Sequence, residues 1–157
     1  MRTEFRRAIL PKEIRGLVAF DHKVFRKADW FPSADWKLYK SYWMIVENKK
    51  VGCCAFQHNV DFEEDPDKED PPRRGSLFVS TTGVLPSVQR MGLGKLMKCW
   101  QISYARHHGF NRIVTNCRKS NRAIIGLNEK FGFKIIRTTP NYYEDPKEAT
   151  VVMELKL

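Results

Sequence analysis

The sequence contains no apolar run near the ~20 residues that a membrane-spanning helix needs. Its first residues, MRTEFRR, lack the apolar core of a secretory signal peptide. The four cysteines include no C-x-x-C pair, which is the usual spacing of zinc ligands. Cysteines without such a pattern are typical of reduced, buried thiols in the cytoplasm. These absences predict a cytoplasmic protein with no membrane partner and no metal.

Acidic residues are missing from one long stretch of the chain. Between Pro71 and Asn128 there is no aspartate or glutamate, whereas the same span carries ten lysines and arginines. An acid-free span of this kind suits a polyanionic ligand, and its composition would suit RNA equally well. RNA recognition also needs aromatic side chains among the cations on a strand face. Because Trp100 and Tyr104 follow a helical stripe instead, the sequence disfavours a nucleic-acid partner.

The acids that are present concentrate just before that span. Seven of the residues from Asp61 to Asp70 are acidic, and Lys68 is the one cation among them. Prolines at 66, 71 and 72 interrupt the same region, so we predict no regular structure from there to Gly75. Charge runs of this kind are usually solvated loops, and the alternative is a rim that attracts a cationic substrate.

The chain has 157 residues, so we expect a single domain, residues 1–157, that buries a core without disulfides. Hydrophobic periodicity predicts seven strands, at 3–9, 42–46, 51–60, 76–84, 112–117, 134–138 and 150–155. It predicts four helices, at 13–25, 33–40, 93–108 and 121–131, the second and fourth capped by Ser33 and Ser120. A right-handed crossover makes the fifth strand parallel to the fourth. The result is an α+β domain with a mixed sheet.

The stretch Gln89-Arg90-Met91-Gly92-Leu93-Gly94-Lys95 joins the fourth strand to the third helix. A helix N-terminus exposes unpaired N–H groups and the positive end of the helix dipole. Two glycines let a ligand approach that backbone without meeting a Cβ atom. This segment is therefore a candidate phosphate-binding loop. The segment does not match the nucleotide-binding P-loop pattern, G-x-x-x-x-G-K-[ST]. It also does not match the dinucleotide-binding pattern, G-x-G-x-x-G, because Met97 stands at the position of the third glycine.

The segment from Gln89 to Gly94 resembles the acyl-CoA pyrophosphate loop of the GNAT acetyltransferase superfamily, Q/R-x-x-G-x-G/A. Asn121-Arg122-Ala123 and Asn128 to Phe133 resemble the family's N-x-x-A…Y-x-x-x-G-F block. Asn141-Tyr142-Tyr143 resembles the end of the ribosomal-protein N-terminal acetyltransferase subgroup. The element order is also that of the family, so the resemblance covers nearly the whole chain. It implies a three-layer α/β/α domain whose mostly antiparallel sheet of about seven strands splays at the central parallel pair.

The resemblance implies acetyl-CoA as co-substrate. The sheet would splay after Gly83-Val84 and near Asn116, and backbone groups from Thr82 to Val84 would pair with the pantetheine arm. N–H groups from Arg90 to Lys95 would hold the pyrophosphate, and an amine would attack the thioester without a covalent enzyme intermediate. The residues that the resemblance assigns to acetyl-CoA are Thr82, Gly83, Val84, Gln89, Arg90, Met91, Gly92, Leu93, Gly94, Lys95, Asn121 and Asn128.

The chain departs from the family at both positions that transfer protons. The subgroup's general acid is a tyrosine, here replaced by Asn128, and its general base is a glutamate on the fifth strand, here replaced by Asn116. An amide donates hydrogen bonds but cannot protonate a thiolate. Candidate replacements are Tyr142 or Tyr143 as the acid, on the loop that borders the acceptor site in this fold, and His58 as the base. Each of the three also has a structural alternative, as a packing aromatic or as a surface or hydrogen-bonded histidine.

The leading hypothesis is an N-acetyltransferase that moves an acetyl group from acetyl-CoA to a primary amine, acting as a monomer or homodimer. The acceptor would be a protein or peptide N-terminus, or a small amine such as a polyamine, an amino acid or an antibiotic. The alternative is a CoA-binding sensor with little catalysis, motivated by Asn116 and Asn128. That alternative predicts acetyl-CoA binding without acetyl transfer.

Overall fold

A computed structural model describes all residues, 1–157, and contains seven strands and three α-helices. The strands are β1 Thr3–Arg7, β2 Lys40–Val46, β3 Lys49–Val60, β4 Pro72–Val84, β5 Arg112–Arg118, β6 Lys134–Tyr143 and β7 Glu148–Lys156. The helices are α1 Ile14–Val24, α2 Leu93–His107 and α3 Arg122–Lys130, and short 3-10 helices cover Lys27–Asp29, Ser33–Leu38 and Pro86–Val88. No helix combines the length and the hydrophobicity that a membrane-spanning segment requires.

The seven strands form one mixed sheet in the order β1-β2-β3-β4-β5-β7-β6. β4 and β5 run parallel, and the β1–β2, β2–β3, β5–β7 and β6–β7 ladders are antiparallel. The parallel pair follows from the crossover through α2, because a strand that returns through a helix keeps its direction. The predicted α+β class, with a mostly antiparallel sheet of seven strands flanked by helices, is confirmed.

The ladder between β4 and β5 is short. It pairs Ser76 with Arg112 and ends at Val79 with Thr115, although both strands continue beyond these residues. Thr115 Oγ1 donates to the carbonyl oxygen of Val79 at 3.2 Å, so a side chain occupies the acceptor where the ladder ends. On β5 the ladder ends just before Asn116, as predicted, whereas on β4 it ends before the predicted position at 83–84.

The chain divides into two compact units, one comprising residues 1–57 and 80–97 and the other comprising residues 58–79 and 98–157. The core of the first unit includes Leu17, Phe20, Trp36, Trp43, Cys53 and Ala55. The core of the second unit includes Phe62, Phe78, Val114 and Val152. Each unit therefore has buried apolar side chains of its own that position its polar residues.

The predicted helix over 33–40 and the predicted acidic loop differ from the structure. The helix expected over 33–40 is a 3-10 helix, Ser33–Leu38, whose N-cap residue is Pro32 and which has no side-chain capping bond. β4 begins at Pro72, so the irregular acidic segment ends before the predicted Gly75. The N–H of Asp61 donates to the carbonyl of Pro71 at 2.9 Å and closes the segment there. Proline is tolerated at the first residue of a strand, which allows β4 to start at Pro72.

Candidate functional site

Hydrogen bonds hold the loop that follows β4 against β3 and against the end of β4. Leu85 donates its N–H to the carbonyl of Val51 at 2.8 Å, and the single 3-10 turn Pro86–Val88 follows. Gln89 Nε2 then donates to the carbonyl oxygen of Val84 at 3.1 Å. The side chain of Gln89, which the sequence analysis assigned to the ligand, thus fixes the loop against the end of β4.

Two residues of the loop adopt left-handed backbone conformations. Arg90 has a φ of 67° and Gly92 a φ of 79°. A residue other than glycine is strained in this region, and such strain is found at ligand sites more often than elsewhere. A Cβ atom added at Gly92 would meet no atom within 4 Å. The space above Gly92 is therefore open, as a cradle for a ligand requires.

Helix α2 begins directly after this glycine. The carbonyl of Gly92 accepts the N–H of Leu96 at 3.1 Å, so Gly92 is the N-cap residue and has no side chain that could cap the first turn. Helix geometry leaves the N–H groups of Leu93, Gly94 and Lys95 without intrahelical partners. No acidic residue lies in the first turn. The residues predicted to hold a pyrophosphate are thus brought together at an N-terminus suited to an anion.

The end of β4 packs closely against α1. A Cβ atom at Gly83 would lie 2.8 Å from Val24 Cγ1 and 3.3 Å from Phe25 Cε2. Because a real Cβ atom cannot approach a side chain so closely, Gly83 is needed for packing. Its neighbours Thr82 and Val84 are partly exposed, beyond the end of the β4–β5 ladder.

Part of the positive charge of the acid-free span is neutralised inside the fold. Arg112 is buried and forms ion pairs with Asp61 and Glu154. Arg118 is also buried, and its Nη1 lies 3.1 Å from Glu148 Oε1. These two cations stabilise the second unit. The charge count of the sequence therefore overstates the positive charge that a polyanionic ligand would meet.

The two tyrosine candidates lie within β6 and are not on a loop, contrary to the prediction. Tyr143 pairs with Glu148 in the β6–β7 ladder, which extends the strand past its predicted end at 138. Asn116 Nδ2 donates to Tyr143 Oη at 3.0 Å. The ring of Tyr142 packs against Phe62, with the centroids 5.3 Å apart. Burial raises the pKa of both phenols, and more strongly that of Tyr143.

Two residues near Tyr143 were missed by the sequence analysis. Asn116 also donates to Thr150 Oγ1 at 3.1 Å, and the guanidinium of Arg118 lies 4.5 Å from the centroid of the Tyr143 ring. Thr150 begins β7 in the prediction, and Arg118 follows the predicted end of the fifth strand. No β-branched residue follows Thr115 to mark Arg118 as part of the strand, and no local signal pairs Thr150 with Asn116.

Asn121 and Asn128 have structural partners. Asn121 is the N-cap residue of α3, and its Oδ1 accepts the N–H of Ile124 at 3.3 Å. Ser120, the predicted cap, instead donates its hydroxyl to Glu148 Oε1 at 2.9 Å. Asn128 is only 1% exposed, with Nδ2 3.6 Å from Met153 Sδ and Oδ1 without a hydrogen-bond partner.

His58 lies at the end of β3 in the second unit. Its Nε2 is 2.8 Å from Tyr104 Oη, and its ring packs edge-on against Phe110 with the centroids 4.8 Å apart. The structure therefore places His58 against two aromatic side chains, Tyr104 on α2 and Phe110 just after it. A hydrogen-bonded, aromatic-packed histidine is the structural alternative that the sequence analysis left open.

Solved structures of low sequence identity share this fold. The loading GNATL domain of CurA from Lyngbya majuscula has a TM-score of 0.83 at 14% identity, and the match covers 99% of this chain and 98% of that one. The ribosomal-protein-S18-alanine N-acetyltransferase from Escherichia coli has a TM-score of 0.80 at 18% identity, with 99% and 94% covered. At such identities the likeness establishes the fold.

Sequence comparison identifies the family. N-alpha-acetyltransferase 50 of Danio rerio is 33% identical over 105 residues, which are 65% of this chain and 55% of that protein. The chain thus spans about half the length of that relative. The model of the acetyltransferase (GNAT) family matches residues 12–133, which include the loop from Gln89 to Gly92 and the start of α2. The match covers well over half of the chain, which therefore belongs to the acetyltransferase (GNAT) family.

Proposed function

We propose that this chain transfers an acetyl group from acetyl-CoA to a primary amine. The observation that carries the proposal is the start of α2, where a glycine N-cap leaves first-turn N–H groups available beneath open space. Such an N-terminus suits the pyrophosphate of CoA. Membership of the acetyltransferase (GNAT) family supports the same interpretation.

Acetyl-CoA, when bound, supplies the thioester whose carbonyl carbon the amine attacks. We assign its pyrophosphate to the N–H groups from Arg90 to Lys95, and its pantetheine arm to the backbone from Thr82 to Val84. An N–H group of that strand end would polarise the thioester carbonyl. The assignment of Asn121 and Asn128 to acetyl-CoA stays a prediction.

The proposal gives Tyr143 the role of general acid. Burial raises its pKa, so the phenol stays protonated at neutral pH and has a proton to give. The amine must arrive deprotonated, and its lone pair forms the new bond to carbon. Tyr142 is the second candidate for the acid, and the assignment of His58 as a base stays a prediction. Most of the rate enhancement would come from positioning and carbonyl polarisation.

The acceptor that we favour is a protein N-terminus. The relative from Danio rerio is named an N-alpha-acetyltransferase, and the structural neighbour from Escherichia coli is named for ribosomal protein S18. Small amines remain the second class of acceptor. The exposed carboxylates of the segment from Glu63 to Asp70 are compatible with a cationic acceptor of either class. We place this activity in the cytoplasm.

The acceptor panel is the experiment that tests this proposal. Thiol release from acetyl-CoA would be followed with peptides of different first residues, polyamines, amino acids and aminoglycosides, beside a calorimetric titration of acetyl-CoA. We expect acetyl-CoA binding and release with one acceptor class, with peptides foremost. Binding without release for every acceptor would favour the CoA-binding sensor, against which the names of the relatives argue.

A further inference from the structure

The amide of Asn116 makes two hydrogen bonds where the β4–β5 ladder ends. Its Nδ2 donates to Tyr143 Oη at 3.0 Å and to Thr150 Oγ1 at 3.1 Å. Thr150 is fully buried, and its own hydroxyl donates to the carbonyl of Cys117 at 3.2 Å. The 3.4 Å between Thr150 Oγ1 and Tyr143 Oη is too long for a strong O–H···O bond. Tyr143 thus accepts a hydrogen from Asn116 and keeps its own proton for another partner.

Arg118 fixes the chain on the other side of the phenol. Its Nη2 donates to the carbonyl of Glu144 and its Nη1 to the carbonyl of Pro146, each at 2.7 Å. Both carbonyls belong to the segment that directly follows Tyr143. The guanidinium lies 4.5 Å from the centroid of the Tyr143 ring. The phenol is therefore held by an N–H donor at its oxygen and by a cation over its ring.

We propose that Asn116 is a positioning residue that holds the phenol of Tyr143 as a proton donor for acetyl transfer. This inference rests on the proposed function, in which Tyr143 is the general acid. An amide supplies an N–H group to the phenolic oxygen and carries no negative charge that would compete for the proton. A carboxylate at position 116 would accept the proton of Tyr143 instead. Asparagine is therefore the residue type that this geometry needs, where the family resemblance expects glutamate.

In the proposed step, one proton moves from Tyr143 to the leaving sulfur. The amine nitrogen forms the new C–N bond, the C–S bond breaks, and the sulfur leaves with the electron pair. The phenolic proton of Tyr143 moves to that sulfur, and the phenolate keeps the O–H electron pair. The N–H of Asn116 then donates to a full negative charge, which strengthens the hydrogen bond, and Arg118 adds a nearby positive charge. The amine nitrogen carries an extra proton after the attack and releases it to solvent as the amide forms. A proton from solvent then restores the phenol.

The titratable or charged groups that face Tyr143 are Cys117 and Arg118 on β5, Tyr142 on β6 and Glu148 on β7. Burial raises the pKa of Cys117 to about 11 and also raises that of Tyr142, so both stay neutral over the working range. Glu148 forms its ion pair with Arg118. A carboxylate introduced at position 116 would therefore be the group of this cluster whose charge changes in mildly acidic solution.

The first test compares Asn116→Asp with Asn141→Asp. Asn141 is exposed on β6, two residues before Tyr143, and has a left-handed φ of 55° that aspartate tolerates. Asn141→Asp adds the same charge nearby and leaves the N–H donor of Asn116 in place. We expect N116D to lower kcat at least about 10-fold at pH 8, a cost of about 1.4 kcal/mol, at unchanged calorimetric affinity for acetyl-CoA.

The pH dependence distinguishes a positioning role from a merely structural one. As the pH falls, the new carboxyl gains a proton that it can donate, so the ratio of kcat for N116D to native kcat should rise. The same ratio for N141D should stay near one throughout. A ratio for N116D that is near one, or that is low and independent of pH, would overturn the inference.

A second measurement does not depend on turnover. With 3-fluorotyrosine at position 143, fluorine NMR follows the ionisation of that phenol directly. N116D should raise its pKa by about one unit or more, and N141D should leave it nearly unchanged. An unchanged pKa in N116D would overturn the inference even in an active enzyme. A native protein that acetylates no amine would refute the proposed function, while this titration would still decide the role of Asn116.

Discussion

Gly92 and Gly109 flank α2 in the same left-handed conformation, with φ of 79° and 76°, and a Cβ atom at either position would meet nothing within 4 Å. Gly109 follows the helix, where a left-handed glycine commonly ends the last turn. Gly92 precedes the helix, where we place the pyrophosphate. Both positions therefore require a left-handed backbone conformation, but we propose a bound ligand only at Gly92.

Gly92→Ala should weaken acetyl-CoA binding at least about 10-fold, because the new methyl group enters the space assigned to the pyrophosphate. Gly109→Ala is the matched control, since it imposes the same left-handed strain at the other end of α2. Both substitutions should lower the free energy of unfolding by about 1 kcal/mol. Calorimetry and urea unfolding measure the two effects separately. Equal acetyl-CoA affinity in the two variants would refute our interpretation of the loop.

Tyr143→Phe should lower kcat by about 100-fold and leave the affinity for acetyl-CoA unchanged, because it removes the proton donor and keeps the ring. Tyr142→Phe is the comparison variant, since the ring of Tyr142 packs against Phe62 and its hydroxyl is the second candidate for the acid, so this variant should lose much less of kcat. Initial rates at saturating acetyl-CoA and acceptor give kcat, and calorimetric titration gives the affinity for acetyl-CoA. A large loss in Tyr142→Phe with none in Tyr143→Phe would exchange the roles of the two residues.

Asp21 should make the stability of the protein depend on pH in the mildly acidic range. It is 2% exposed in α1, and its Oδ2 accepts the N–H of Phe31 at 2.7 Å. Burial raises its pKa to about 6, so the folded chain takes up this proton at a higher pH than the unfolded chain does. The stabilisation that the protonated carboxyl of Asp21 contributes to the fold is complete below about pH 4, and it is lost as the pH rises through about 6.

Asp21→Asn isolates this contribution, because the amide keeps an acceptor for the N–H of Phe31 and carries no charge. The variant should be more stable than the native chain above pH 6, by at most about 3 kcal/mol, and the difference should shrink towards pH 4. Urea unfolding at several pH values measures it. If the difference did not vary with pH, Asp21 would not be the group that titrates.

Asp61→Asn should destabilise the fold by about 3 kcal/mol, because it weakens the ion pairing of the buried Arg112. Asp29→Asn is the control, since it removes an ion pair with Arg26, whose side chain is 59% exposed, and should cost less than about 1 kcal/mol. Urea unfolding compares the two variants. Similar small losses in both would show that the Asp61 pair contributes no more than a surface pair.

The strands and the loop could be predicted because their signals are local. Hydrophobic periodicity marked all seven strands, and two glycines before an apolar helical stripe marked the start of α2. The N-cap of α3 could not be assigned in the same way, because Ser120 and Asn121 are both good capping residues. The choice is made by Glu148, which binds the hydroxyl of Ser120 and leaves the cap to Asn121.

The polar cluster around Tyr143 depends on contacts that no local pattern contains. Asn116 meets residues 27 and 34 positions away in the chain, at Tyr143 and Thr150. The sequence identified Asn116 and Tyr143 separately, one as a departure from the family and the other as a candidate acid. Their hydrogen bond follows from the register of β5, β7 and β6, which only the folded sheet specifies.

Pyrophosphate binding is tested by calorimetric titrations with acetyl-CoA and with S-acetylpantetheine, which carries the same thioester but lacks the adenosine and all of the phosphates. If the loop from Gln89 to Gly92 and the start of α2 bind the pyrophosphate, acetyl-CoA should bind at least about 100-fold more tightly, a difference of about 2.7 kcal/mol. Equal affinity for the two thioesters, or no binding of acetyl-CoA, would contradict the account.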